Sequence, residues 1–167
     1  MMMMMKAWVV PVLAVAAVCW GTTLAAQDKD AAKAALSARV SLARGLAASA
    51  SQGRAISAKF EMDEGKLQLS VYTMKGGKFF EVSVDPNSGR VVKTEEITQG
   101  EDLTEAQSQS AAMAKAKVSL RAAMQYALRA NAGFRAISVT PSLKDGRAAA
   151  DVTLAKGEEL KTVTVPL

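Results

Sequence analysis

One stretch of sequence recurs 81 residues further along the chain, and this repeat limits the possible folds more than any other feature. Arg54-Ala55-Ile56-Ser57 is found again as Arg135-Ala136-Ile137-Ser138. The same spacing, without gaps, matches Gly65, Val71, Lys75-Gly76, Val82 and Val84 to Gly146, Val152, Lys156-Gly157, Val163 and Val165. Upstream, Val40-Ser41-Leu42 recurs as Val118-Ser119-Leu120 at a spacing of 78. Matches that keep one register through several elements indicate two copies of one supersecondary unit.

Each copy begins with a helical pattern. Apolar residues recur at i, i+4, i+7 and i+8 on one face, as Leu42, Leu46 and Ala50 in the first copy and as Leu120, Met124, Ala127 and Leu128 in the second. Ser41 and Ser119 are either N-caps of these helices or members of longer helices that start near Asp28 and Thr104. Gly45 lowers the helix propensity of the first copy by ~1 kcal/mol relative to its counterpart Ala123.

Period-2 runs typical of half-buried strands follow in both copies. The apolar sets are Ile56, Ala58, Phe60 and Met62; Leu67, Leu69 and Val71; Phe80, Val82 and Val84; then Ile137 and Val139; Ala148, Ala150, Val152 and Leu154; and Val163 and Val165. Turn residues separate the runs, as at Asp63-Glu64-Gly65 and Lys144-Asp145-Gly146. The predicted fold class is α+β, with two repeated units, each a helix packed on a three-stranded antiparallel sheet. The units are expected at residues 27–93 and 105–167, joined by a polar, aperiodic linker at 94–104.

Residues 1–26 have the order of a secretory signal peptide. Lys6 precedes the uncharged run AWVVPVLAVAAVCW, and the small residues of GTTLAA come before the first charges. We therefore expect export to the periplasm or beyond, with cleavage after Ala25 or Ala26. The alternatives are an uncleaved membrane anchor, because residues 7–26 are uncharged, and a lipoprotein signal at Cys19. Translation that begins at Met5 would give an ordinary leader.

The rest of the chain lacks the side chains that most catalytic centres use. Histidine is absent and the one cysteine lies in the leader, which excludes zinc, iron–sulfur and His-dependent catalytic sites and disulfides from the exported chain. We therefore predict no enzyme activity and no cofactor. Without the leader the net charge is about +4, with basic and acidic residues interspersed, which disfavours nucleic acid as a partner. After cleavage no membrane segment is expected, and the oligomeric state is left open.

The strands and turns of the first copy resemble the PepSY domain family. The segment Val84-Asp85-Pro86-Asn87-Ser88-Gly89-Arg90-Val91 is similar to the closing signature of that family. The resemblance covers residues 38–93 well and 116–167 partly. The second copy ends at Pro166-Leu167 without this turn. Members of the family often carry an aromatic residue early in the second strand, and in this chain that position is Leu69 in the first copy and Ala150 in the second. The resemblance implies a non-enzymatic module, of a kind known from propeptides that hold secreted peptidases inactive and from envelope proteins.

Two groups of residues are candidates for a binding role. Glu61, Asp63 and Glu64, with Asp85, form either a hard-cation site or, as their irregular spacing favours, a solvated turn, so we predict no metal site.

Tyr72 and Phe79 are the candidate partner-binding residues. Tyr72 is out of phase with Leu69 and Val71 and so lies on the face that the helix leaves open, where an extended peptide can add to a sheet. The predicted partner is a secreted or periplasmic protein such as a peptidase; the alternative is a scaffold without a specific partner.

Overall fold

The computed structural model describes residues 21–167, with side chains from residue 29 onward. Most of the predicted leader lies outside this range, and residues 21–26 of the expected cleavage region begin the first helix. The elements are α1 (Gly21–Ser37), α2 (Leu42–Ala48), a 3-10 turn (Ala50–Gln52), β1 (Arg54–Asp63), β2 (Lys66–Lys75), β3 (Lys78–Val84), β4 (Val91–Ile97), α3 (Gly100–Lys115), α4 (Leu120–Arg129), β5 (Arg135–Lys144), β6 (Arg147–Lys156) and β7 (Glu159–Pro166).

All seven strands belong to one antiparallel sheet in the order β4-β3-β2-β1-β5-β6-β7. The prediction of two units, each a single helix on its own three-stranded sheet, is therefore wrong. Each half supplies two helices rather than one, and the first half supplies four strands. The residues predicted as a linker, 94–104, form most of β4 and the beginning of α3. β4 is an edge strand whose five central residues are exposed, so it has no alternating apolar pattern to reveal it.

The two halves join through their first strands, β1 and β5. Ala58 pairs with Val139 and Lys59 pairs with Ser138. Ala58 and Val139 are equivalent positions of the 81-residue repeat, so the pairing has local two-fold symmetry. An unpaired first strand would leave exposed backbone N–H and C=O groups in each half. Pairing β1 with β5 satisfies part of both edges at once, and this is the physical reason for one sheet instead of two.

One face of the sheet is apolar across its central strands, with polar residues on the two edge strands. A single cross-strand row on this face runs through Thr94, Val82, Val71, Ala58, Val139, Val152 and Val163. Apart from Ile56 and Ile137, which fall at β-bulges that interrupt the alternation, the predicted period-2 sets lie on this face, and its central members are 0 to 1% exposed. Leu42 and Leu46 of α2 and Leu120 and Met124 of α4 complete the same core. Helices α1 and α3 contact β1, β5 and β6 beside the junction of the two halves.

The hydroxyl groups of Ser41 and Ser119 cap α2 and α4. Each accepts a hydrogen bond of 3.2 Å from a backbone N–H, that of Arg44 and that of Ala122 respectively. The N-cap alternative is therefore confirmed, and α1 and α3 are separate helices that precede the caps.

Gly45 lies against Leu69 so closely that a Cβ atom at this position would collide with that side chain. Close approach of α2 to the sheet, which sequence reasoning did not foresee, explains this glycine. Among the described residues, no helix has the length and apolarity needed to cross a bilayer.

Candidate binding face

The opposite face of the sheet, here called the polar face, carries polar side chains on every strand. Its central row runs through Lys93, Ser83, Ser70, Lys59, Ser138, Thr153 and Thr162. The next row contains Glu95, Glu81, Tyr72 and Ser57 in the first half and Asp151 and Thr164 in the second. Strand geometry explains the arrangement, because successive side chains point to opposite faces, so alternate residues of one strand lie beside alternate residues of the next.

Lys59 lies at the centre of the polar face. Its Nζ atom is 2.8 Å from Oε2 of Glu61 and 5.4 Å from the centroid of the Tyr72 ring. Burial lowers the pKa of Lys59, but the hydrogen bond to Glu61 and the charges of Tyr72 and Glu61 outweigh it and raise the pKa overall. Burial raises the pKa of the Tyr72 phenol, against the opposing effect of Lys59. At neutral pH the cluster therefore presents an ammonium group held between a carboxylate and a neutral phenol.

A second polar cluster surrounds Glu81, the cross-strand neighbour of Tyr72. The Ser70 hydroxyl donates to Oε1 of Glu81 over 2.8 Å, and the Gln68 amide donates to the same oxygen over 3.1 Å. Burial raises the pKa of Glu81, the hydrogen bond from Ser70 opposes that shift, and the charge of Glu61 adds to it. These contacts fix the side chains in place before any partner arrives, which lowers the entropic cost of binding.

The polar face of the second half has its own network, centred on Asp151. Its Oδ1 atom accepts hydrogen bonds from Nζ of Lys144 over 2.8 Å and from the Thr164 hydroxyl over 2.6 Å. Burial opposes ionisation of Asp151, but these two donors and the charge of Lys144 lower its pKa overall. Thr153 and Thr162 share a hydrogen bond of 3.4 Å on the neighbouring row.

Two depressions lie on the polar face, on either side of Lys59 and Glu61. One, of about 600 Å³, extends towards β6 and β7 and is lined also by Ala31 of α1. The other, of about 490 Å³, extends towards β3 and β4 and is lined also by Asp102 of α3. The second depression carries six carboxylates and two ammonium groups, so it favours basic groups on whatever binds there.

The structure separates the two predicted partner-binding residues by environment. Tyr72 lies half-buried on the polar face within the second depression. Phe79 is on the same face but pairs with Met74 and Ile97 and packs against the core at the end of the sheet. Both side chains are half-buried and contact the core, and the difference between them is that Tyr72 lines the acidic depression whereas Phe79 does not.

The acidic residues at the first hairpin do not assemble with Asp85. Glu61, Asp63 and Glu64 line the second depression. Asp85 accepts hydrogen bonds from the backbone N–H groups of Ser88 and Asn87, which hold its pKa below the usual value. In the part of the chain that the structure describes, no three carboxylates are grouped as metal ligands would be.

Sequence reasoning identified Tyr72 but missed its neighbours Lys59, Gln68 and Glu81. The signal for them was available in the hairpin turns. Glu64 and Gly65 both have positive φ, as do Gly76 and Gly77, and such two-residue turns fix the cross-strand register of β1, β2 and β3. Register combined with period-2 parity places Lys59, Tyr72 and Glu81 side by side.

No protein-family model and no curated protein matches the chain. Among solved structures, a protein of Clostridium difficile 630 described as a "putative lipoprotein" is similar over 67% of this chain and 74% of its own, with a TM-score of 0.41 and 13% sequence identity. Likeness at this level leaves the function to be argued from the polar face itself.

Proposed function

We propose that this chain is an exported, non-catalytic protein that binds a partner protein through the polar face of its sheet. The observation that carries the proposal is the preformed cluster of Lys59, Tyr72 and Glu81 in an acidic depression of the polar face, bordered by Asp102 of α3. Tyrosine is enriched among the residues that dominate binding energy at protein interfaces. Export rests on the order of residues 1–26, which lie mostly outside the described range.

Binding accounts for this face better than catalysis does. The Glu81 carboxylate is engaged by Ser70 and Gln68, and Glu61 is engaged by Lys59. These groups stabilise one another instead of projecting unpaired into a closed cleft, where an acid–base pair would be expected. The partner we propose is a secreted or periplasmic protein, with a peptidase as the first class to test because of the resemblance to PepSY propeptides. Basic side chains on that partner would complement the acidic depression.

The test is capture of a partner from cell-envelope extract by the purified exported protein. We expect one stoichiometric, saturable partner, whose binding weakens about 10-fold or more when Tyr72→Ala removes an interface anchor. Leu143→Ala is the control, because Leu143 is also a partly exposed large side chain but lies on the opposite face of the sheet, in phase with Val139. Capture of a peptidase would be followed by inhibition assays on that peptidase with the same two variants.

A scaffold role in the envelope is the second candidate, and the single continuous sheet favours it. In that case the polar face is only a solvated surface, and no saturable partner is captured. Substrate turnover by the purified protein that is lost on Glu81→Gln would overturn both proposals.

A further inference from the structure

The first half of the chain shows how the outer edge of its sheet is covered. β4 pairs with β3 along its length. The turn that leads into β4 packs on the loop before α2, where the Val40 N–H donates to the Pro86 carbonyl over 3.0 Å. Gly89 lies against the same loop, so closely that a Cβ atom added to it would be 3.4 Å from Cγ2 of Val40. As a result Val40 is only 6% exposed.

The equivalent surface of the second half is open. In the described residues no strand pairs with β7 on its outer side. Val118, the counterpart of Val40, is 39% exposed, and no backbone carbonyl of residues 21–167 accepts from its N–H. A groove of about 470 Å³ runs between α4 and the end of β7. Its apolar lining residues are Val118, Ala122, Ala123, Tyr126, Val165 and Pro166.

We propose that an extended segment of another protein adds to the outer edge of β7 and fills this groove, in the place that the turn and β4 occupy in the first half. Strand addition of this kind takes its affinity from main-chain hydrogen bonds and its specificity from alternate side chains. This site is separate from the polar face and does not depend on the function proposed for that face.

The first half also indicates the chemistry of the added segment. On the apolar side of β4, Glu96 lies opposite Phe80 and Thr94 lies opposite Val82. The positions on β7 that correspond to Phe80 and Val82 are Lys161 and Val163. We therefore expect an acidic residue opposite Lys161 and a β-branched or apolar residue opposite Val163. A turn carbonyl of the added segment would accept from the Val118 N–H, as Pro86 does for Val40.

The chain supplies its own probe for this site. A fluorescent synthetic peptide with the sequence of residues 84–97, the turn and β4, is titrated into the purified exported protein. We expect saturable binding that a scrambled peptide does not show, with slowed amide exchange at Val118 and along β7. Val118→Asp should weaken binding about 10-fold or more by placing a charge in the apolar groove. Ala122→Glu, on an exposed helical position, should do the same, while Tyr72→Ala should leave binding unchanged.

Four outcomes would overturn the proposal. The first is the absence of saturable peptide binding. The second is binding that is indifferent to both groove variants when circular dichroism shows them to be folded. The third is exchange protection that appears on β3 and not on β7. The fourth is a concentration-dependent dimer that protects β7 without peptide, which would assign the edge to a second copy of this chain.

Discussion

Ala58 and Val139, which occupy equivalent positions of the sequence repeat, pair directly with each other at the centre of the sheet. The two halves also exchange contacts around this pair. The Arg54 guanidinium donates to the Met113 carbonyl of α3, and the equivalent Arg135 donates to the Val40 carbonyl of the first half. Each half therefore contributes to the burial of the other, which has a direct consequence for stability.

We expect the protein to unfold in one cooperative transition, because the shared sheet leaves neither half with a complete core of its own. Tyr72 and Tyr126 stand one in each half, and no other tyrosine is present. In the exported chain without tryptophan, Tyr126→Phe leaves fluorescence to report the first half and Tyr72→Phe leaves it to report the second. The two urea curves should coincide.

Val139→Ala is the accompanying test of the junction. It should lower the free energy of unfolding by about 2 kcal/mol in both reporter backgrounds, since Val139 is fully buried at the pair. Val163→Ala, in the same cross-strand row but on the edge strand β7, where Val163 is only partly buried, should cost less than about 1 kcal/mol. Two separate transitions, with only the second half sensitive to Val139→Ala, would show that the halves fold independently.

Gly45→Ala should destabilise the protein by about 1–3 kcal/mol, although alanine favours a helix more than glycine does. The reason is the collision of the new Cβ with Leu69 where α2 meets the sheet. The measurement is urea denaturation of the variant and of the double variant with Leu69→Ala. Because the smaller side chain relieves the collision, the two effects should be clearly non-additive. Strict additivity would contradict the close approach.

Loss of the proton from Glu81 should lower the free energy of unfolding as the pH rises. Its folded pKa is raised above the ordinary value of 4.5, so the folded state binds a proton that the unfolded state has lost. The free energy of unfolding should therefore fall as the pH rises from 4.5 through the folded pKa. Glu81→Gln should remove this slope. Chemical denaturation at several pH values measures it, and an unchanged slope in the variant would show that Glu81 is not its source.

Asp151 should act in the opposite direction. Its folded pKa is lowered below the ordinary value of 3.8 by its two hydrogen-bond donors, so its contribution to stability is present above that value. The contribution is lost as the pH falls through the folded pKa. Asp151→Asn should therefore be less stable than the parent at pH 7, with the difference vanishing in strong acid. A deficit that persisted at the lowest pH would indicate lost packing rather than lost charge.

Local patterns along the chain determined much of the structure. The alternation of Ala58 and Phe60 with Lys59 and Glu61 determined which face of β1 packs on the core, because successive side chains of a strand point to opposite sides. Ser41 and Ser119 marked the beginnings of α2 and α4, since a hydroxyl before an apolar helical pattern satisfies free N–H groups. The parity of Tyr72 placed it on the polar face, opposite to Leu69 and Val71.

Only the tertiary structure decided how these elements combine. The strand β1 could either form the edge of a small sheet or pair with β5. Its backbone N–H and C=O groups are the same in every sequence, so the choice depends on which distant strand the fold places beside it. The exposed β4 carries no apolar period, so its pairing with β3 was visible only in space. The tertiary structure alone also brought Asp102 of α3 beside Tyr72 and Glu81, because no local turn or strand register relates that helix to the cluster.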